Sequence, residues 1–248
     1  MPAIIYGAEV DAYTTGSQQL HKIGQRMMTP DGSVFRYAEK GAADGVANNL
    51  QQSAVPTAHW YTQALTVAIT VGDITITVAD GGTAFVIDQM AGGTIITDEV
   101  LDLGHIYRVK SNAVTASNET VCTLENGVTV QVTVPVETGN CTTALLNPWK
   151  DIIVSPQSAP TALAIGVPCV VIAASGYGWV QTRGPASVLI DSGTDVCEVG
   201  MNVRPSETHA AMVALCNETA TVTELQTVGV CMETAPDDDF GHVFLTIE

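Results

Sequence analysis

The sequence predicts an all-β protein with three parts: an N-terminal extended arm, a central β domain built on hairpins, and a C-terminal small β-barrel or sandwich. The expected boundaries are residues 1–60, 61–147 and 148–248. Hydrophobic residues make up 46% of the chain and charged residues only 14%. Thr, Val, Ala and Gly dominate, which favours strands over helices rich in Leu, Glu and Lys. Short apolar runs separated by Gly and Pro indicate many short strands.

Residues 1–60 show no sustained hydrophobic period, apart from a short strand predicted at 34–38. A segment this long without its own core is typical of an arm that becomes ordered against a partner. Its charge balances over residues 1–40, and the net charge of −17 therefore lies in the rest of the chain. The balancing residues are Lys22, Arg26, Arg36 and Lys40 against Glu9, Asp11, Asp31 and Glu39.

Two hairpins are predicted in the central domain. At residues 67–78, apolar side chains alternate on both sides of a Gly-Asp pair. A two-residue turn there would oppose Val71 to Ile74 and place the alternating apolar residues on one buried face. At residues 121–134, a three-residue loop with Gly127 in the left-handed conformation would form a second hairpin.

The C-terminal part is predicted to contain short strands, because prolines at 156, 160 and 168 exclude long helices. In the stretch 176–190, Trp179 and Val180 should point to opposite faces of one strand. The Gly-Pro pair at 184–185 is expected to end that strand, and residues 186–190 to form the next. Trp179, Val180 and Leu189 are the predicted core residues.

Composition argues against several classes of partner and cofactor. A net charge of −17 disfavours a nucleic-acid-binding surface, which requires Lys and Arg for phosphate contacts. Residues 161–180 are uncharged and long enough to span a bilayer, but Gly and Pro interrupt a pattern that suits buried strands better, so we expect no membrane partner. The six cysteines lack metal-ligand spacing and are expected to be small buried residues. We therefore expect no metal and no cofactor.

One passage raises an enzymatic alternative. Residues 188–195, Val-Leu-Ile-Asp-Ser-Gly-Thr-Asp, resemble the catalytic aspartate passage of pepsin-like and retroviral proteases. In those enzymes two aspartates share one proton. A turn between strands explains the same residues, and no second catalytic strand follows. We expect no enzyme, and a protease that uses Asp191 is the minor alternative. The acidic run 237–239 is expected to be a solvated loop rather than a calcium site.

A family resemblance covers nearly the whole chain. It is carried by Asp-Gly-Ser-Val-Phe-Arg-Tyr-Ala at 31–38, Val-Gly-Asp-Ile-Thr-Ile-Thr-Val at 71–78, Gly-Tyr-Gly-Trp-Val-Gln-Thr-Arg-Gly-Pro-Ala-Ser-Val-Leu at 176–189, and the closing residues 241–247. In this order the chain resembles head decoration (cement) proteins of tailed bacteriophages. The resemblance implies a non-enzymatic virion subunit on the outer capsid surface. Such subunits bind the major capsid protein, often as homotrimers, and tie neighbouring capsomers together.

The resemblance and the charge distribution together predict that residues 1–60 dock on the capsid or on a neighbouring subunit. The acidic remainder would keep copies soluble before assembly. The contact candidates are Lys22, Arg26, Phe35, Arg36, Tyr37 and Lys40. The alternative is a tail or adhesion subunit that binds host glycans, although aromatic residues make up only 5% of the chain.

Overall fold

The computed structural model describes residues 4–98, 104–191, 197–216, 226–235 and 237–248. The predicted all-β fold, including a barrel, is confirmed. Short 3₁₀ helices span Glu9–Tyr13 and Ala58–Trp60. The strands are β1 (Ile5–Tyr6), β2 (Arg26–Met28), β3 (Val34–Glu39), β4 (Gln51–Gln52), β5 (Gln63–Ala64), β6 (Thr75–Ala79), β7 (Thr94–Asp98), β8 (His105–Asn112), β9 (Glu119–Leu124), β10 (Cys141–Leu145), β11 (Ile153–Val154), β12 (Ala164–Pro168), β13 (Tyr177–Asp191), β14 (Asn202–Pro205), β15 (Val213–Leu215), β16 (Gly229–Cys231) and β17 (Asp239–Thr246).

The chain divides into two compact units. Unit 1 comprises Met1–Val55 together with Pro148–Glu248, and unit 2 comprises Pro56–Asn147. The leading residues thus belong to the same unit as the C-terminal part, which differs from the expected separate arm. The physical reason is that β3 pairs with β13, a strand far away in the sequence, so no local pattern in residues 1–60 reveals its partner.

Five strands of unit 1 close a small barrel. Their order is β13-β15-β14-β16-β17, and β17 pairs again with β13. The β13–β15 pair is parallel, and the other four pairs are antiparallel. Ala186, Val188 and Ile190 of β13 pack inside with Val243 and Leu245 of β17. The alternation of buried and exposed residues along β13 and β17 therefore builds the barrel core.

The N-terminal half of β13 extends beyond the barrel and becomes the centre of a second sheet region. It pairs with β3 on one side, and β2 and β1 continue that sheet to its edge. It also pairs with β12, which in turn pairs with β4, and β4 with β11. Trp179 and Val180 pack into different apolar clusters, as expected for adjacent residues on opposite faces.

The expected end of a strand at Gly-Pro 184–185 is wrong, because β13 runs through both residues. Gly184 has φ +98° and is packed against Ser33, whose Oγ would lie 2.6 Å from an added Cβ. The pairing with β3 also shifts register between Gln181 and Arg183. A bulge with glycine thus replaces the predicted break, and it marks the point where β13 passes from one sheet region to the other.

Unit 2 contains a six-stranded sheet in the order β5-β10-β7-β8-β9-β6 among the described residues. Its core includes Ile76, Phe85, Ile95, Tyr107 and Val109. The face-to-face contact of Trp60 with Phe85, at 4.3 Å between ring centroids, lies in the same cluster. The alternating residues of β6 and β8 account for this one-sided burial.

The two predicted hairpins are wrong in their pairing, and the first turn spans residues 70–73, where the Asp73 N–H donates to the Thr70 carbonyl, instead of the predicted residues 71–74. Gly72 and Gly127 both have positive φ, as the predicted turns require. However, β6 pairs with β9 rather than with residues 67–71, and Ile69 forms a bridge with Val134. β9 pairs with β6 and β8 instead of folding back on residues 128–134. Each turn therefore directs its flanking chain towards a different, distant partner.

Four of the cysteines differ from the expectation of separate buried residues: Cys216 is exposed, Cys169 is half-buried, and two others form a disulfide. Cys197 and Cys231 form a disulfide, and both are buried. Cys231 is the last residue of β16, so the disulfide connects this barrel strand to Cys197, the first residue of the described segment 197–216. Cys122 is free and buried as expected, and burial raises the pKa of its thiol to about 12.

No helix in the described part of the chain has the length and apolar character needed to cross a membrane. The uncharged residues 161–180, which were long enough to suggest a span, contribute β12 and the beginning of β13. The residues of β12 and β13 pair within the sheets of unit 1, whereas residues 161–163 and 169–176 lie outside the strands. The interpretation as buried strands therefore holds for part of this stretch.

Candidate functional site

The six predicted contact residues fall into three environments in unit 1. Lys22 is exposed, and Arg26 and Arg36 are half-buried. Phe35, Tyr37 and Lys40 are buried, so their side chains are not available to a partner. For these three residues the contact role is corrected. The alternation along β3 turns Phe35 and Tyr37 towards an apolar cluster that the sequence alone gave no reason to expect.

Phe35 and Tyr37 belong to the same cluster as the predicted core residue Trp179. The rings of Tyr37 and Trp179 meet edge to face at 5.1 Å between centroids, a geometry favoured by aromatic quadrupoles. Trp179 is 3% exposed. Val180 is fully buried in another cluster, and Leu189 is half-buried on the outer side of the barrel. The core prediction therefore agrees with the burial of Trp179 and Val180 and only partly with that of Leu189.

Arg26 and Arg36 converge on the carboxylate of Glu248. Arg36 forms a two-pronged ion pair with it, with Nε donating to Oε2 at 2.8 Å, and Arg26 Nε lies 3.3 Å from Oε1. Burial acts to raise the pKa of Glu248, but the hydrogen bond and charge of Arg36 outweigh it and lower that pKa. The Arg36 guanidinium also lies over the Trp149 ring at 4.9 Å. These arginines thus join segments of unit 1 to one another.

Lys40 is buried, with its side chain 2% exposed. Its Nζ donates a hydrogen bond to the carbonyl oxygen of Ile152 at 3.0 Å. Burial lowers the pKa of the Lys40 amine to about 8, and the nearby charge of Asp44 opposes that shift. Lys40, which follows β3, is therefore bonded to Ile152, which precedes β11. It contributes no surface charge to a docking site.

The surface of residues 4–20 carries a different set of contact residues. Five large apolar side chains are exposed there, and four of them are more than half exposed. They are Ile4 at 41%, Tyr6 at 81%, Val10 at 70%, Tyr13 at 53% and Leu20 at 67%. We call these five residues the leading apolar set. Exposed apolar and aromatic side chains of this kind are enriched at protein interfaces.

The leading apolar set stands on a well-anchored backbone. β1 pairs in parallel with β2, and Gly7 N–H donates to the Met28 carbonyl at 3.0 Å. In the 3₁₀ helix Glu9–Tyr13, Ala12 packs into the Trp179 cluster, and Asp11 accepts a hydrogen bond from the Ala8 N–H at 2.8 Å. Further along, the Leu20 N–H donates to the Tyr37 hydroxyl at 3.2 Å. The exposed side chains are thus held by ordered chain.

The charges and the strand alternation of residues 1–60 do not reveal the leading apolar set. Tyr6, Val10, Tyr13 and Leu20 do not alternate with a period of two; their spacings of four, three and seven residues are those of a helical face, although the structure forms only a short 3₁₀ helix there. Their apolar character in a segment without its own core was the available signal. Only the fold shows which of the apolar residues in this segment are buried and which are exposed.

The carboxylate of Asp191 lies at the C-terminal end of β13 and is 5% exposed. Its Oδ2 accepts hydrogen bonds from the hydroxyls of Ser206 and Thr208, and His209 Nδ1 lies 3.2 Å away. Burial acts to raise the pKa of Asp191, but the hydrogen bonds from Ser206, Thr208 and His209 together lower it below its ordinary value. The hydrogen bond and charge of Asp191 in turn raise the pKa of His209.

This geometry describes a structural anchor more closely than a catalytic centre. Ser206 Oγ donates to Asp191 and accepts the backbone N–H groups of Thr208 and His209, at 3.0 and 2.9 Å. The serine hydroxyl therefore points at the carboxylate rather than at the histidine, unlike the nucleophile of a catalytic triad. An aspartic protease also requires a second catalytic carboxyl group, whereas the side chains that face the Asp191 carboxylate are those of Ser206, Thr208 and His209. Residues 192–195 of the protease-like passage lie outside the described residues.

Within the described ranges, no three acidic, His or Cys side chains are grouped in a way that could hold a metal ion. Asp237, Asp238 and Asp239 are exposed at the beginning of β17. Their position agrees with the predicted solvated loop.

The expected family is that of the phage head decoration proteins. In comparisons with known proteins, no family model, curated protein or solved structure matches the chain. The family assignment therefore stays a prediction.

Proposed function

We propose that this protein is a non-enzymatic structural subunit of a tailed-phage virion that binds the major capsid protein on the outer surface of the capsid and reinforces contacts between capsomers. The observation that carries the proposal is the leading apolar set, which exposes Tyr6, Val10, Tyr13 and Leu20 on an ordered part of unit 1. Exposed apolar side chains that lie close together often mark a protein interface.

The leading apolar set lies on a part of the chain with few charges. Residues 4–20 carry only Glu9 and Asp11, whereas the whole chain carries a net charge of −17. A partner that covers this segment therefore meets two carboxylates rather than the acidic remainder of the chain. Because this segment is already ordered by β1, β2 and the 3₁₀ helix, binding would cost little additional conformational entropy. Both properties suit a subunit that docks after the capsid has formed.

Substitution of exposed residues tests this proposal better than deletion. Removal of residues 1–60 would take β1, β2 and β3 from unit 1 and Phe35 and Tyr37 from its core, so a deletion would disrupt the fold as well as any docking. In the double variant Tyr6→Ser with Val10→Ser, binding to purified undecorated capsids should weaken by about tenfold or more, because two exposed anchors are lost. Cosedimentation with capsids measures this.

A matched control uses two exposed apolar residues of unit 2. Val86 and Ile87 are 60% and 70% exposed, comparable to the two substituted positions. The variant Val86→Ser with Ile87→Ser should bind capsids as the wild type does. Equal capsid affinity of the Tyr6/Val10 variant and the wild type would contradict the proposal, as would an equal loss in both variants.

A second candidate function is supported by the two exposed tyrosines of the same segment. Tyr6 and Tyr13 expose 81% and 53% of their surface, and an adhesion subunit would need exposed aromatic faces to contact host glycans. Binding of the isolated protein to host cells distinguishes this candidate from capsid decoration. Cell binding that is lost in Tyr6→Ser while capsid binding is retained would favour the adhesion subunit.

A further inference from the structure

Unit 2 presents a small basic face on an otherwise acidic surface. Its residues, 56–147, contain the cations Arg108 and Lys110 and nine Asp or Glu residues, so its net charge is 2 − 9 = −7. Arg108 and Lys110 lie on the exposed side of β8, where they alternate with buried Tyr107 and Val109. The two cations of an acidic unit are thus placed side by side.

Apolar side chains adjoin these cations. Ile106 is 63% exposed on the same side of β8, and Ile96 of β7 lies directly opposite it in the antiparallel register. Lys110 Nζ donates to the Asn126 side-chain oxygen at 3.1 Å, and no carboxylate of the described residues forms an ion pair with either cation. We call Ile96, Ile106, Arg108 and Lys110 the basic face.

Unit 1 presents a surface of opposite charge on the outside of its barrel. Phe240 and Phe244 of β17 are 48% and 37% exposed, although phenylalanine is usually buried. Half-buried Leu189 of β13 lies opposite Phe240 in the register. The exposed residues 237–239 add three carboxylates at the beginning of β17. We call Leu189, Phe240, Phe244 and residues 237–239 the acidic face.

The two faces are complementary in two respects. Each has exposed apolar side chains that would gain by removal from water, and each carries charges of the sign that the other lacks. An acidic protein with a net charge of −17 repels its own copies at most orientations. Attraction at one pair of faces therefore selects a single orientation between copies.

We propose that copies of this chain associate head to tail, with the basic face of one copy against the acidic face of the next. The contact is heterologous, because the two surfaces differ, and such contacts close into a ring when the rotation between copies permits it. The inference deepens the proposed function by naming the surfaces through which neighbouring copies meet, and it rests on that function only for its biological role.

Charge reversal tests the contact directly. The variant Arg108→Glu with Lys110→Glu and the variant Asp238→Lys with Asp239→Lys should each weaken self-association by about tenfold or more. The variant that combines all four substitutions should recover it, because opposite charges again face each other. Light scattering coupled to size-exclusion chromatography at low salt gives the mass, and association should weaken as salt is added.

The exposed cation Lys22 provides a matched control, since Lys22→Glu reverses a charge of unit 1 that belongs to neither face. The Lys22→Glu variant should have the same mass in solution as the wild type. Circular dichroism checks that each variant is folded, and Arg108→Ala with Lys110→Ala replaces the reversal if that variant unfolds.

A monomeric wild type at low salt, or reversals that keep the wild-type mass, would overturn the proposal. Capsid cosedimentation of the monomeric reversal variants separates this outcome from a failure of the capsid-binding proposal.

Discussion

The two halves of β13 are buried in different ways. The half that pairs with β3 is covered on both faces, so that Trp179 and Val180 are both buried. In the half that pairs with β17, Ala186, Val188 and Ile190 are buried and the residues between them are more exposed. One continuous strand therefore serves as a central strand of a two-sided layer and as a wall of a barrel. The leading segment, residues 4–40, contributes to this difference, because it supplies β3 and the Ala12, Met27, Phe35 and Tyr37 side chains of the Trp179 cluster.

The largest effect is expected in the doubly covered half. Trp179→Ala removes a ring that packs with Phe35 and Tyr37, and it should lower the free energy of unfolding of unit 1 by about 3–5 kcal/mol. Chemical denaturation, with hydrogen exchange of β3 and β13 as a local measure, would show this. Tyr6→Ala, which removes an aromatic ring that is 81% exposed, serves as the control and should cost about 0.5 kcal/mol or less. Similar stabilities of the two variants would show that the leading segment does not pack on β13.

In the barrel half of β13 a smaller effect on stability is expected, and it should differ sharply between neighbouring positions. Val188→Ala removes two buried methyl groups and should cost about 2 kcal/mol, whereas Ser187→Ala at the exposed neighbouring position should cost less than about 0.5 kcal/mol. The denaturant midpoints of the two variants measure this difference. Equal costs at both positions would mean that the barrel half is also covered on two faces.

The smallest effect is a pH dependence at the barrel end of β13. The pKa of His209 is raised above its usual 6.5 by Asp191, so the stabilising interaction is fully present below that pH and is lost as pH rises through the folded-state value. The pKa of Asp191 is lowered below its usual 3.8, so its contribution is present above that pH and is lost as pH falls through the folded-state value.

Thermal melting as a function of pH measures this dependence. In His209→Gln, the loss of stability on the alkaline side of pH 6.5 should disappear. The matched variant His242→Gln removes an exposed histidine paired with exposed Glu233, away from Asp191, and should retain the alkaline loss. If the loss of thermal stability above pH 6.5 persists unchanged in His209→Gln, another titrating group causes it.

Local sequence was sufficient to predict the glycine conformation at turns and the side of a strand on which each residue lies. The positive φ of Gly72 and Gly127 follows from turn chemistry, and the opposite burial of Trp179 and Val180 follows from strand alternation. The predicted end of a strand at Gly184 failed because the same residue permits a bulge within a longer strand. A glycine with positive φ is compatible with both, and the tertiary partner decides between them.

Pairing partners and the candidate site could not be predicted in the same way. β3 joins β13, and β6 joins β9, across long separations in sequence that leave no local signal. The contact residues were predicted from charge, yet Lys40 is buried and Arg36 is paired with Glu248. The exposed set at Tyr6, Val10, Tyr13 and Leu20 became visible only when the neighbouring apolar residues were seen to be buried.

The central claim is that the ordered leading segment of unit 1 docks on a phage capsid. Cryo-electron microscopy of purified capsids incubated with the protein tests it most directly, because the map shows which surface meets the shell. We predict that the protein binds the outer face of the capsid and that residues 4–20, with Tyr6 and Val10, contact the shell. Absence of the protein from the capsid, or a bound protein whose leading segment faces solvent, would contradict the claim.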